Sequence, residues 1–126
     1  VHSFGVGTPS YAAPEQLSRG APVAAACDIF PLAIIGFELF HCFGSAMERA
    51  KLFGELRALG TESTQQQLRK AKTLPACLAL PQLPAQLTPL LASMLMHEPL
   101  RRPLCPTVIR QLAVCRVAME EAAAAP

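Results

Sequence analysis

Apolar residues group into four helix-like stretches along the 126 residues. Ala24, Ala25 and Ala26 are good helix formers, and Asp28 is an acid suited to a helix amino end. An apolar run from Ile29 to Phe43 follows. Leu32, Ile35 and Leu39 share one face of that run while Ile34, Phe37 and Phe40 cover the others, which predicts a helix over 24–43 buried all round. Pro31 is expected in its first turn, where a missing N–H is harmless. A second helix is predicted over 45–59, with Ser45 as cap, Glu48 three residues on, and an apolar stripe of Leu52, Leu56 and Leu59. Glu48, Arg49, Lys51, Glu55 and Arg57 keep its other side wet. Residues 60–85 read as a polar connector passing into a Pro- and Leu-containing stretch, with a short helix over 65–72. Leu87, Leu90, Leu91, Met94 and Leu95 predict a third helix over 86–97 that stops near Pro99. A fourth runs from Thr107 to about Ala122, led by Pro106 and carrying Val108, Ile109, Leu112, Cys115 and Met119. Residues 1–20, rich in Gly, Pro and hydroxyls, read as a loop, and the Ala run before Pro126 is expected to fray. No stretch alternates as a strand does, so the expected class is mainly α.

Composition sharpens this picture. The chain is 52% hydrophobic and 16% charged, against about 25% charged in typical soluble domains. The surplus does not form a membrane span, because the run from Ile29 to Phe43 contains Glu38 and falls short of the ~20 apolar residues a span needs. It predicts instead apolar surface meant for protein outside this chain, and the absence of a starting Met fits a fragment. A net charge of +2 with scattered basic residues does not point to nucleic acid. Cys27, Cys42, Cys77, Cys105 and Cys115 form no metal-ligand spacing and read as reduced thiols in an intracellular, cytoplasmic protein.

Three segments in order carry a resemblance: Gly7-Thr8-Pro9-Ser10-Tyr11-Ala12-Ala13-Pro14-Glu15-Gln16-Leu17, then Asp28-Ile29-Phe30-Pro31-Leu32-Ala33, then Glu98-Pro99-Leu100-Arg101-Arg102-Pro103. Together they resemble the carboxyl-terminal lobe of a eukaryotic serine/threonine protein kinase, beginning inside the activation segment that Ala13-Pro14-Glu15 closes. The run Phe37-Glu38-Leu39-Phe40-His41-Cys42-Phe43-Gly44-Ser45-Ala46-Met47-Glu48-Arg49 is similar to the kinases of the initiation factor 2 alpha subunit, nearest to the heme-regulated and double-stranded-RNA-activated members. The resemblance covers residues 1–118 and implies an incomplete kinase-like lobe. Its parts would be an activation-segment end (1–20), a buried central helix (24–43), a substrate-docking helix (45–59), an insert or connector (60–85), two last helices (86–118) and an Ala-rich tail (119–126).

The resemblance also implies roles. Thr8, Tyr11, Ala13, Pro14 and Glu15 would belong to the activation segment, with Ser3 and Thr8 as phosphorylation sites. Glu15 and Arg102 would pair, and Asp28 would receive backbone hydrogen bonds from the catalytic loop. Ser45, Met47, Glu48 and Arg49 would contact a protein substrate, the initiation factor 2 alpha subunit. Each has a plainer alternative: a solvated hydroxyl for Ser3, a helix-start acid for Asp28, two surface charges for Glu15 and Arg102, and a solvated helix face for 45–49. Phosphoryl transfer from ATP with Mg²⁺ needs a Gly-rich loop, a Lys and Glu pair, a catalytic Asp, and metal-holding Asp and Asn. None of these motifs occurs here, so the chain alone is expected to bind neither ATP nor metal, and the full kinase, which is free to dimerise, would carry the catalysis. Pro31-Leu32-Ala33 replaces the usual Ser-x-Gly, which keeps a pseudokinase lobe open as an alternative, beside a helical interaction module.

Overall fold

A computed structural model of the chain describes residues 11–17, 25–71, 76–78 and 83–125. These form five helices: α1 (Ala26–Leu39), α2 (Ala46–Leu59), α3 (Glu62–Ala71), α4 (Thr88–Met94) and α5 (Cys105–Ala124). Short 3-10 turns lie at Pro14–Leu17, Ala76–Leu78 and Pro99–Arg101, and there is no strand among the described residues. The class is therefore mainly α, as the spacing of apolar residues predicts.

The core forms where α1 meets α4. Ile29, Phe30, Ala33, Ile34 and Phe37 of α1 are buried, as are Leu90, Leu91 and Met94 of α4. Phe53, Leu56 and Leu59 of α2 and Val108 and Cys115 of α5 join the same cluster. Each fully buried side chain of this size contributes about 1.5–3 kcal/mol. Cys115 satisfies its thiol by donating to the Gln86 carbonyl at 3.1 Å.

Several elements differ from the reading of the sequence. α1 ends at Leu39 rather than Phe43, and it is not buried all round: Leu32, Ile35 and Leu39 are exposed, Leu39 to 78%. Leu32 and Leu39 of that face, with Phe40, Met94 and Leu112, line an apolar groove of about 270 Å³. Because α1 starts at Ala26, Pro31 lies in its second turn. There it removes the donor that would reach the Cys27 carbonyl, a cost the first turn would not carry. Leu56 and Leu59 are buried in α2 as predicted, while Phe53 is buried in place of Leu52, which is only half-buried. The short helix of the connector begins at Glu62 because Thr61 caps it, its hydroxyl accepting from the Thr64 N–H at 3.3 Å. α4 is short because the chain must leave the helix at Leu95 for Met96 to bridge Gly60. The Ala run stays helical to Ala124, as Ala is the best helix former.

Gly60 is the tightest of these junctions. A Cβ there would fall on the Leu95 carbonyl and lie 2.7 Å from Met96 Cα and 2.8 Å from the His97 nitrogen. The His97 N–H donates to the Gly60 carbonyl at 3.3 Å, and its ring Nε2–H donates to the Arg57 carbonyl. Gly54, exposed in α2, has nothing within 4 Å of such a Cβ. Gly60→Ala is expected to destabilise the chain by about 1–3 kcal/mol or more, while Gly54→Ala stabilises it by about 0.8–1 kcal/mol. Urea denaturation followed by circular dichroism measures both, and equal effects of the same sign would contradict this junction.

Candidate functional site

The guanidinium of Arg102 gathers three parts of the chain: Glu15, Ala26 and the adjacent residues Met96 and His97. Nη1 and Nη2 donate to Glu15 Oε2 and Oε1 at 2.6 and 2.7 Å, a bidentate pair between residues 87 apart. Nη1 also donates to the Ala26 carbonyl at 2.8 Å, Nη2 to the His97 carbonyl at 3.2 Å, and Nε to the Met96 carbonyl at 2.7 Å. All five guanidinium donors are thereby used. The Arg102 side chain is 0% exposed, and its charge lies 5.3 Å from the centroid of the Phe30 ring. Burial pushes the Glu15 carboxyl up, but the hydrogen bond from Arg102, a backbone hydrogen bond, the Arg102 charge and the Cys27 thiol together hold it below the ordinary carboxylate value. The 3-10 turn carrying Glu15 is closed locally, since Gln16 N–H donates to the Ala13 carbonyl at 3.0 Å and the Gln16 side chain accepts from the Ala13 N–H at 2.9 Å.

A second polar cluster sits beside the first turn of α2. The Tyr11 hydroxyl donates to Glu38 at 2.8 and 3.0 Å, and Arg49 donates to Glu38 at 3.1 Å through Nε and to the Tyr11 oxygen at 2.6 Å through Nη2. Arg49 also lies 4.2 Å over the Phe53 ring, which Tyr11 meets edge-on at 5.6 Å. The Glu38 hydrogen bond, burial and the Glu38 charge raise the Tyr11 pKa, with Arg49 opposing. Around the helix end, the Ser45 hydroxyl accepts from the Glu48 N–H at 3.1 Å and Glu48 accepts from the Gly44 N–H at 2.7 Å. His41, stacked on Phe37 and edge-on to Phe43, places Nε2 3.5 Å from Glu48.

The residues singled out in the sequence thus fall into distinct places. Glu15 and Arg102 meet, Ala13 is buried, and Pro14 opens the 3-10 turn. Tyr11 is joined to Arg49. Ser45, Met47 and Glu48 are exposed, Met47 to 83%, whereas the Arg49 side chain turns inward. Asp28 is exposed in the first turn of α1. Ser3 and Thr8 lie outside the described residues. Glu38, His41 and His97 escape a reading of the sequence alone; the one visible signal is Glu38 as a lone acid within an apolar run. Burial, with the Glu55 charge adding and a backbone hydrogen bond opposing, pushes the Cys77 thiol up to about 11, which leaves it unreactive at neutral pH. Among the described residues no three His, Cys, Asp or Glu side chains are grouped to hold a metal, and no helix is long and apolar enough to cross a membrane. The Glu15–Arg102 pair ties the 3-10 turn at Pro14–Leu17 to the start of α1 and to Met96 and His97.

Arg102→Ala is expected to cost about 3–5 kcal/mol, since it strands the half-buried Glu15 carboxylate and takes the donor from three carbonyls. Glu15→Gln keeps the donors of the three carbonyls but leaves the buried guanidinium without its counter-ion, so it too is expected to cost about 3–5 kcal/mol. The depressed Glu15 pKa contributes stability above the unfolded value of about 4.3 and loses it as pH falls through the folded value. The urea midpoint therefore drops below about pH 5, and this slope is shallower in Glu15→Gln; an identical slope in both proteins would contradict the pairing.

Comparison with known proteins finds similarity over part of the chain. Mouse "Eukaryotic translation initiation factor 2-alpha kinase 1" is 45% identical over 57 residues, covering 45% of this chain and 9% of that protein. Bovine "Eukaryotic translation initiation factor 2-alpha kinase 3" is 41% identical over 58 residues, 46% of this chain and 5% of that protein. "eIF-2-alpha kinase GCN2" of Schizosaccharomyces pombe is 43% identical over 56 residues, 43% of this chain and 4% of that protein. The chain thus spans under a tenth of the length of the curated relatives it matches. No protein-family model and no solved structure matches it. The chain contains a kinase-related segment, similar to these initiation factor 2 alpha kinases.

Proposed function

We propose that this chain is part of the carboxyl-terminal lobe of a serine/threonine protein kinase acting on the alpha subunit of translation initiation factor 2, an intracellular control of translation under stress. The observation that carries the reading is the bidentate Glu15–Arg102 pair. It joins two of the three ordered motifs that resemble a kinase, in a chain with a segment similar to named kinases. In this reading Arg102 holds the end of the activation segment against the helical lobe, so that the segment from Tyr11 to Glu15, anchored at Glu15, forms a wall for the substrate.

The chemistry would be transfer of the terminal phosphoryl group of ATP, held with Mg²⁺, to a Ser or Thr hydroxyl. The groups that hold nucleotide and metal would come from other parts of the kinase. This chain's part is positioning: binding energy gathered away from the reacting hydroxyl is used to present it correctly. The exposed turn Ser45, Met47 and Glu48 is suited to that docking, with one apolar and one acidic side chain projecting from a capped helix end. Phosphorylation at Ser3 or Thr8 would add close to two negative charges to the same segment.

The decisive experiment is a calorimetric titration of the 126-residue chain with recombinant initiation factor 2 alpha subunit. Saturable binding is expected, with Met47→Lys weakening it at least tenfold; Met47 is the better probe because Glu48 also holds the helix end. Absence of binding, or equal binding by Met47→Lys, would overturn the docking assignment.

A further inference from the structure

The first turn of α2 has an outer and an inner side. Ser45, Met47 and Glu48 are exposed, while the next residue, Arg49, reaches inward to Tyr11 and Glu38. We propose that Arg49 is a positioning residue that transmits occupancy of the outer side of α2 to Tyr11, so that a docked protein substrate sets the orientation of the activation-segment wall. This rests on the reading of the α2 turn as a docking face.

The geometry supports such transmission. Tyr11, Glu38 and Arg49 form a closed triangle in which each group bonds to the other two. Its bonds are charge-assisted and half-buried, the Arg49 and Glu38 side chains being 35% and 32% exposed. A helix moves as a rigid body, and a displacement of about 1 Å takes a hydrogen bond of ordinary length past its useful range. Arg49 therefore cannot follow a shifted α2 without dragging Tyr11 or releasing it. Four residues on, Glu15 is bolted to Arg102 and cannot move with it. The chain from Tyr11 to Glu15 is thus adjustable at one end and fixed at the other. Because coupling is reciprocal, the state of Tyr11 also sets the affinity of the outer face by the same factor.

Tyr11 is the sole Tyr in the sequence, which has no Trp. Incorporating 3-fluorotyrosine gives a single fluorine resonance that reports on this site alone. The labelled 126-residue chain is titrated with unlabelled initiation factor 2 alpha subunit. Expected is a saturable shift of the resonance in the natural sequence, and in Arg49→Gln a resonance displaced from the start that no longer moves at saturation. Binding with an unmoved resonance, or an equal shift in Arg49→Gln, overturns the coupling and leaves docking standing. No binding overturns the docking assignment and the coupling with it. Should Arg49→Gln lose its helical circular dichroism, Arg49→Lys, which keeps the charge but lacks the planar fork that holds Glu38 through Nε and Tyr11 through Nη2, takes its place: a resonance that stays put on binding supports the coupling, and a shift equal to that of the natural sequence overturns it.

Discussion

The buried cation of Arg102 organises the described part of this chain. Arg102 brings a full positive charge into the interior, and such a charge is tolerated only with a counter-ion and a complete set of acceptors. Glu15 supplies the first, and the carbonyls of Ala26, Met96 and His97 supply the second. Much of the local architecture follows from delivering those oxygens. The carbonyl of Ala26, in the first turn of α1, accepts from the guanidinium, a carbonyl oxygen having two lone pairs. Those of Met96 and His97 are available because α4 stops at Met94, which in turn requires a residue without a side chain at position 60. A Lys in place of Arg102 could not span this constellation, having three donors on one atom rather than a planar fork of five.

The two polar clusters divide the work between rigidity and response. Around Arg102 every donor is used and the side chain is sealed from water. The triangle of Tyr11, Glu38 and Arg49 is half-exposed and borders the most accessible turn of α2. Fixed wall and movable latch lie on one short segment, an economical arrangement for a protein whose proposed role is to present a hydroxyl rather than to react with it.

The features legible in the sequence are those set by neighbours along the chain. Ser45 and Glu48 mark the start of α2 because a cap is a contact over three residues. The apolar period locates α1, α4 and α5. Boundaries and faces go wrong where distant partners decide. Leu95 and Met96 continue the apolar pattern of α4, yet the chain turns there to meet Gly60, 36 residues earlier by sequence number. The pairing of Glu15 with Arg102 has no signature in spacing or composition; only the family resemblance of the two motifs points to it. Glu38 stands out as an acid in an apolar run, but nothing local indicates that Tyr11, 27 residues away, is its partner. The inward turn of Arg49 is equally silent, since a charged residue on a surface helix is ordinarily solvated.

Pro31 divides α1 into units of unequal cohesion. It cannot donate to the Cys27 carbonyl, so the ladder of backbone bonds is interrupted between the opening turn and the rest of the helix. The opening turn is held by the bond from Arg102 to Ala26 as well as by the burial of Ile29 and Phe30, whereas the remainder is held by packing alone. Local opening would therefore begin at the amino end of α1, as a small cooperative unit released when the guanidinium lets go. In amide exchange the residues from Ala33 onward would be protected together, and those before Pro31 would exchange on a faster clock of their own.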